Sequence, residues 1–207
     1  MERREALRKI ILTGAGIMMA NPCKKLLAAG SFDTGHAVKP RQDISDPRVV
    51  FWREFWERPR VLNFYRPESG ERGEFCYWNN GQKTSDYESA CWLLRDIHIN
   101  EKVDMDVELL DLICGISGWF SLYGINKPFI VNSGYRSKRT NAKIEGAAKD
   151  SYHTLGKAMD GRIEGIPAAY LGRAIAAFKT GGVGFYVNRK NDFVHADVGR
   201  VRYWLGK

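Results

Sequence analysis

The run DFVHADVGR, Asp192 to Arg200, constrains the fold more tightly than any other stretch of the chain. Its alternation puts Val194, Ala196 and Val198 on one side of a strand and Phe193, His195 and Asp197 on the other. An apolar strand face must lie on a core, so the face bearing His195 and Asp197 is turned toward a cleft. KAMDGRI, Lys157 to Ile163, has the same grain, with Ala158, Asp160 and Arg162 alternating with Met159, Gly161 and Ile163. Asp160 therefore belongs to a strand face rather than to a loose loop.

Strands with one apolar face need helices to cover them. In SDYESACWLLRDIHIN, Tyr87, Ala90, Cys91, Leu94 and Ile97 share a helical face, and Ser85 or Asp86 can cap it. In DVELLDLICGISGWFSLYG, Leu109, Leu110, Ile113, Ile116 and Phe120 do the same, with a stop at Gly124. PAAYLGRAIAAFKTGG reads as a third long helix between Pro167 and Gly181, and a shorter one is expected from Lys138 to about Glu145. PFIVN and VGFYV are further strands, and a hairpin is expected around Glu68-Ser69-Gly70 with a second turn at Asn79-Asn80-Gly81. The class is α+β, a small antiparallel sheet with helices packed on it. Residues 31–57 show no sustained period and read as an N-terminal arm or linker packing through Phe51, Trp52, Phe55 and Trp56, so the main domain is expected over 58–207 and includes the hairpin.

The first thirty residues have a different character. Arg3 and Arg4 precede an apolar stretch from Ile10 to Ala20, and small residues follow at Ala28, Ala29 and Gly30. That order is the one an export signal uses, and RREALRK is similar to a twin-arginine signal, which implies the twin-arginine export machinery as a partner. The stretch is short and broken by Gly14 and Gly16, so stable membrane insertion after processing is not expected. The net charge of +8 shrinks on inspection, because this segment holds six Lys/Arg against two Glu and so supplies +4. The mildly basic remainder suits anionic partners in general and gives no case for nucleic acid. Cys23, Cys76, Cys91 and Cys114 are widely spaced, which excludes a CxxC zinc or redox motif and leaves buried thiols as the simplest reading.

Among four histidines, His153 in SYHTLGKAMD and His195 in DFVHADVG stand near strand carboxylates. If the two strands are neighbours, His153, Asp160 and His195 converge as two imidazoles and one carboxylate. That donor set holds zinc with a position left open for water. Asp192, three residues before His195, is then the candidate base, and Asp197 the partner that orients a ligand imidazole. On the residues alone the alternative stays open that His153 is an ordinary loop histidine and His195 a half-buried strand one. His36 and His98 invite no functional reading.

SGYRS at Ser133 to Ser137, Asn141, SYHTLGKAMD at Ser151 to Asp160, and GGVGFYVNRKNDFVHADVGRVRYW at Gly181 to Trp204 occur in one order. Together they resemble the zinc D-Ala-D-Ala carboxypeptidase family of the hedgehog/DD-peptidase fold, in its YcbK-like murein peptidase branch. The resemblance implies His153, Asp160 and His195 as ligands of Zn2+ and Asp192 as general base. It implies Arg136 as a catalytic and substrate-binding group that stabilises the developing oxyanion, and Ser151 as a substrate-binding serine lining the site. It further implies an exported peptidase of the periplasm or cell envelope, acting on peptidoglycan peptides as a carboxypeptidase or an endopeptidase. A non-catalytic peptidoglycan-binding module of the same fold is the rival. Two departures stand out: Gly161-Arg162 after Asp160, where this branch more often has apolar residues, and an Asp as base rather than the Glu of the vancomycin-resistance dipeptidases.

Overall fold

The structure, a computed structural model, describes residues 47–144, 146, 148–187 and 192–206. The export segment and most of the arm lie outside the described residues. The chain enters through helix α1 (Pro47–Glu57), whose Trp52 is 4% exposed and lies parallel to Trp119 at 6.4 Å. The aromatic residues of the arm are thus part of the main core.

Strands β1 (Arg60–Arg66) and β2 (Glu71–Asn79) form the expected antiparallel hairpin, and the short β3 (Gln82–Lys83) extends it. Helix α2 (Ser85–Leu93) is capped by Thr84, one residue earlier than expected, its hydroxyl accepting from Asp86 N. Helix α3 (Val107–Ser121) is capped by Asp106 and is buried nearly all round from Leu109 to Phe120. Beneath β1, Asp111 of α3 accepts from Arg60 Nη1 at 2.8 Å and from Tyr77 Oη at 2.6 Å, bonds that offset part of the cost of burying its charge. Strand β4 (Phe129–Ser133) is followed by a helical turn α4 (Lys138–Asn141), shorter than the sequence suggests. Then come β5 (Ala158–Ile163), α5 (Ala168–Ala177), β6 (Gly182–Tyr186), β7 (Phe193–Asp197) and β8 (Arg202–Leu205). Within these residues no helix is long and apolar enough to cross a membrane.

The α+β class holds, but the sheet is neither small nor purely antiparallel. It has eight strands in the order β3-β2-β1-β4-β5-β7-β6-β8, and the β1–β4 and β6–β8 seams are parallel. Both seams follow from the connections. The chain from β1 to β4 includes the helices α2 and α3, and such crossovers return a strand parallel. β8 follows β7, which is antiparallel to β6, and crosses to the other side of β6. β8 has no counterpart among the strands read from the sequence.

At the centre, β5 pairs β7 antiparallel with Asp160 opposite His195 and Ala158 opposite Asp197. Cross-strand partners face the same side. Met159, Val194 and Ala196 point to the core instead, each at most 1% exposed. Gly161 is forced by close approach, since a Cβ there would overlap the Phe129 ring and stand 2.5 Å from Ile130 O. The β4–β5 register slips between Val131 and Ser133, which bends the chain after β4 over the polar face of the sheet.

Candidate metal centre

His153 reaches the sheet from a 3-10 turn, Tyr152–Leu155. Ser151 starts this turn, its Oγ accepting from His153 N at 3.4 Å, and Gly156 ends it in the left-handed region at φ 65°. A loop histidine is thereby set over two strand residues. His153 Nε2 lies 3.1 Å from His195 Nδ1 and 3.2 Å from Asp160 Oδ1, and His195 Nδ1 lies 2.8 Å from the same oxygen.

The outer ring nitrogens fix what these inner atoms are. His153 Nδ1 is 2.7 Å from Gly134 O, which can only accept, so Nδ1 carries the proton and Nε2 turns a lone pair inward. His195 Nε2 is 3.0 Å from Asp197 Oδ2, so in the neutral ring Nε2 carries the proton and Nδ1 faces inward with a lone pair. Two lone pairs and a carboxylate oxygen thus converge without a donor of their own. With both rings neutral, such an arrangement suits a cation between them. Tetrahedral zinc at about 2.0–2.1 Å from each donor requires donor separations of roughly 3.3 Å, and the observed triangle is within a few tenths of an ångström of that on two edges. Among the described residues this is the group of His, Cys, Asp and Glu side chains able to hold a metal ion.

Electrostatically the two rings differ. Burial lowers the His153 imidazole, against the pull of Asp160. Burial opposes charge on His195 too, but hydrogen bonds to Asp160 and Asp197 outweigh it and raise that imidazole. Burial would also raise Asp160, yet the two imidazoles hold its carboxyl far below the usual carboxylate range. Asp197 is likewise held low, desolvation being outweighed by His195, Arg202 and the amides of Gly182 and Gly199. It is fully buried, and Arg202 grips it with both terminal nitrogens, at 3.1 and 2.7 Å. The expected outer partner of His195 is thus itself rigidly held.

Arg136 arrives on the loop after β4. Its Nη2 donates to Asp160 Oδ2 at 3.2 Å, and among the described residues its buried Nε has no hydrogen-bond partner. Arg136, Ser151, His153, Asp160 and His195 all line one cleft of about 500 Å³. Asp192, half-buried and immediately before β7, is not among the described residues lining that cleft, whereas the exposed Asp150 is.

Sequence reasoning passed over the far wall of the cleft. Trp204 from β8 packs on the His195 ring with centroids 5.2 Å apart, and Tyr186 stacks on Phe193 at 4.4 Å. The alternation of Arg202 and Trp204 with Val201, Tyr203 and Leu205 was the available signal. His98 is exposed in a turn, away from the cleft.

The chain matches, over residues 55–204, the family model described as Peptidoglycan L,D-endopeptidase MepK (Peptidase_M15_2). It is 35% identical over 190 residues to the peptidoglycan L,D-endopeptidase MepK of Escherichia coli K12, covering 87% of this chain and 96% of that protein. It is also 36% identical over 189 residues to the probable peptidoglycan L,D-endopeptidase MepK of Haemophilus influenzae, covering 88% of this chain and 95% of that one. With residues 55–204 matched and the two imidazoles and carboxylate of the sequence motifs meeting at one point, the chain belongs to the M15 peptidases, in the MepK family.

Proposed function

We propose that this protein is an exported, zinc-dependent peptidase that cuts peptide bonds in peptidoglycan, as an endopeptidase of L,D cross-links. The observation that carries the metal reading is the triangle of inward lone pairs on His153 Nε2, His195 Nδ1 and Asp160 Oδ1. The bond and its stereochemistry rest on the names of the relatives. Transport by the twin-arginine route and residence in the periplasm or envelope rest on the Arg3-Arg4 segment and on where such a substrate lies.

His153, Asp160 and His195 would hold the zinc, which when bound supplies Lewis acidity and lowers the pKa of a coordinated water to about 7. Around it, the chain's own groups orient and move charge. Gly134 O and Asp197 lock the two imidazole tautomers. Arg136 binds the scissile carbonyl through the guanidinium N–H groups left over from Asp160, and a planar fixed cation is suited to the oxyanion that forms there. Asp192 takes a proton from the attacking water and delivers it to the leaving amine nitrogen. Ser151 caps the turn under His153 and borders the same cleft. The aromatic wall of Trp204, Tyr186 and Phe193 keeps one side of the cleft dry, which strengthens each of these interactions.

His153→Ala tests this directly. Loss of both zinc and muropeptide hydrolysis is expected; retention of both at wild-type level would refute the mechanism.

A further inference from the structure

The stretch LRDIHINE, Leu94 to Glu101, lines no part of the catalytic cleft, yet it is bonded at three places to the loop that carries Arg136. Tyr135 N donates to Leu94 O at 2.8 Å, Ser137 N donates to Asp96 Oδ2 at 2.9 Å, and Tyr135 Oη donates to Glu101 Oε1 at 2.9 Å. On its other side the same loop is tied to the site. Arg136 N donates to His153 O at 3.2 Å, and Gly134 O accepts from His153 Nδ1 at 2.7 Å. Residues 134–137 are therefore clasped between a remote loop and the metal-binding turn. The fit leaves no slack, because a Cβ on Gly134 would overlap Leu94 O.

Asp96 is the charged member of the clasp. It is 2% exposed and also accepts from His98 N at 3.1 Å. Among the described residues it is met by N–H and O–H donors rather than by an ion pair with Lys, Arg or His. A buried carboxylate held in this way carries a desolvation cost that an apolar side chain of similar size would avoid. The donors gathered on it outweigh that cost, and the one on Ser137 ties the loop that carries Arg136 to this remote stretch.

We propose that Asp96 is a positioning residue for the peptidase site: by holding the Ser137 N–H it fixes the Gly134–Ser137 backbone, and with it the Arg136 guanidinium and the carbonyl behind His153. This rests on the peptidase reading above. Displacement of a substrate-orienting group by an ångström can cost about 100-fold in rate. The outer partners of metal ligands are worth about 10- to 100-fold in metal affinity.

The experiment is a double-mutant cycle on the zinc-loaded full chain: wild type, Asp96→Asn, Arg136→Ala and the double variant. Muropeptide hydrolysis is followed by mass spectrometry, zinc affinity by competition with a chromogenic chelator, and folding by circular dichroism. Asp96→Asn is expected to fold, to lower kcat by tenfold or more, to weaken zinc binding severalfold, and to cost little further once Arg136 is alanine. An equal loss with and without Arg136, or wild-type kcat together with wild-type zinc affinity, would overturn the proposal. If the wild type hydrolyses no muropeptide, the peptidase reading has failed on its own, and unchanged zinc affinity in Asp96→Asn then decides against the positioning role. Should Asp96→Asn not fold, Ser137→Pro removes the same hydrogen bond at a φ of −59° that proline accepts; because it also removes the Oγ that caps Thr140 N, it is read against Ser137→Ala, which loses the cap alone, and the difference between the two is held to the same outcomes.

Discussion

Asp160 and His195 face each other across the β5–β7 pair and bring a carboxylate oxygen and an imidazole nitrogen to 2.8 Å. Strand register alone accomplishes this, so the two side chains are placed by the pairing at the centre of the sheet. His153 is brought to them by a capped turn.

Asp197 fixes His195 from behind, with its own carboxylate held by Arg202 and two backbone amides. Asp197→Asn is expected to weaken zinc binding by about 10- to 100-fold. Chelator competition measures it, and wild-type affinity would remove Asp197 from the site's support.

Arg136→Ala is expected to lower kcat by about 100- to 1,000-fold, the usual loss for an oxyanion donor. Zinc stoichiometry should stay unchanged, because its three ligands remain. Arg136→Lys should recover little, since an ammonium cannot keep the contact to Asp160 and also present a second fixed N–H. Steady-state kinetics with parallel metal analysis separates these outcomes.

The base is tested by comparing Asp192→Asn with Asp150→Asn. Removing a general base costs about 100- to 10,000-fold in rate, so Asp192→Asn should show that loss with zinc retained, and Asp150→Asn should stay near wild type. The reverse pattern would assign the proton transfer to Asp150, the aspartate that borders the cleft on its exposed rim.

Asp96 also gives a pH signature. Desolvation would raise its carboxyl, but bonds from the Thr140 and Ser137 hydroxyls and the Ser137 and His98 amides outweigh that and hold it below its ordinary value of 3.8. A folded-state value below the unfolded one means the unfolded chain binds more protons in that window, so the stabilisation is present above pH 3.8 and fades as the pH falls toward the folded-state value. The gap in denaturant stability between wild type and Asp96→Asn should therefore be widest near neutrality and shrink in acid. A gap that is constant with pH would contradict it.

Much of the site was legible in the sequence because it is written in local periods. Period-two alternation placed Asp160 with the strand face of β5, and His195 and Asp197 together on β7, and all three stand where that pattern puts them. What was not legible depends on partners distant in sequence. β8 is held by parallel pairing with β6, and the alternation in RYWL is too short to announce that pairing by itself. α1 is held by Trp52 against Trp119 and Phe178, and the stretch before it blurred its period. Thr84 displaced Ser85 and Asp86 as cap because capping depends on which residue leaves the helix geometry first. Asp96 drew no reading from the sequence, since nothing in LRDIHINE announces its bond to the Ser137 amide.

The most direct test is the mass-spectrometric profile of L,D-cross-linked muropeptides incubated with the purified full chain, repeated after chelation and again after zinc is restored. The expected result is conversion of the cross-linked dimers to monomers that stops with chelator and returns with zinc. Unchanged dimers in the zinc-loaded sample, or cleavage that persists after chelation has removed the metal, would contradict a zinc peptidase built on His153, Asp160 and His195.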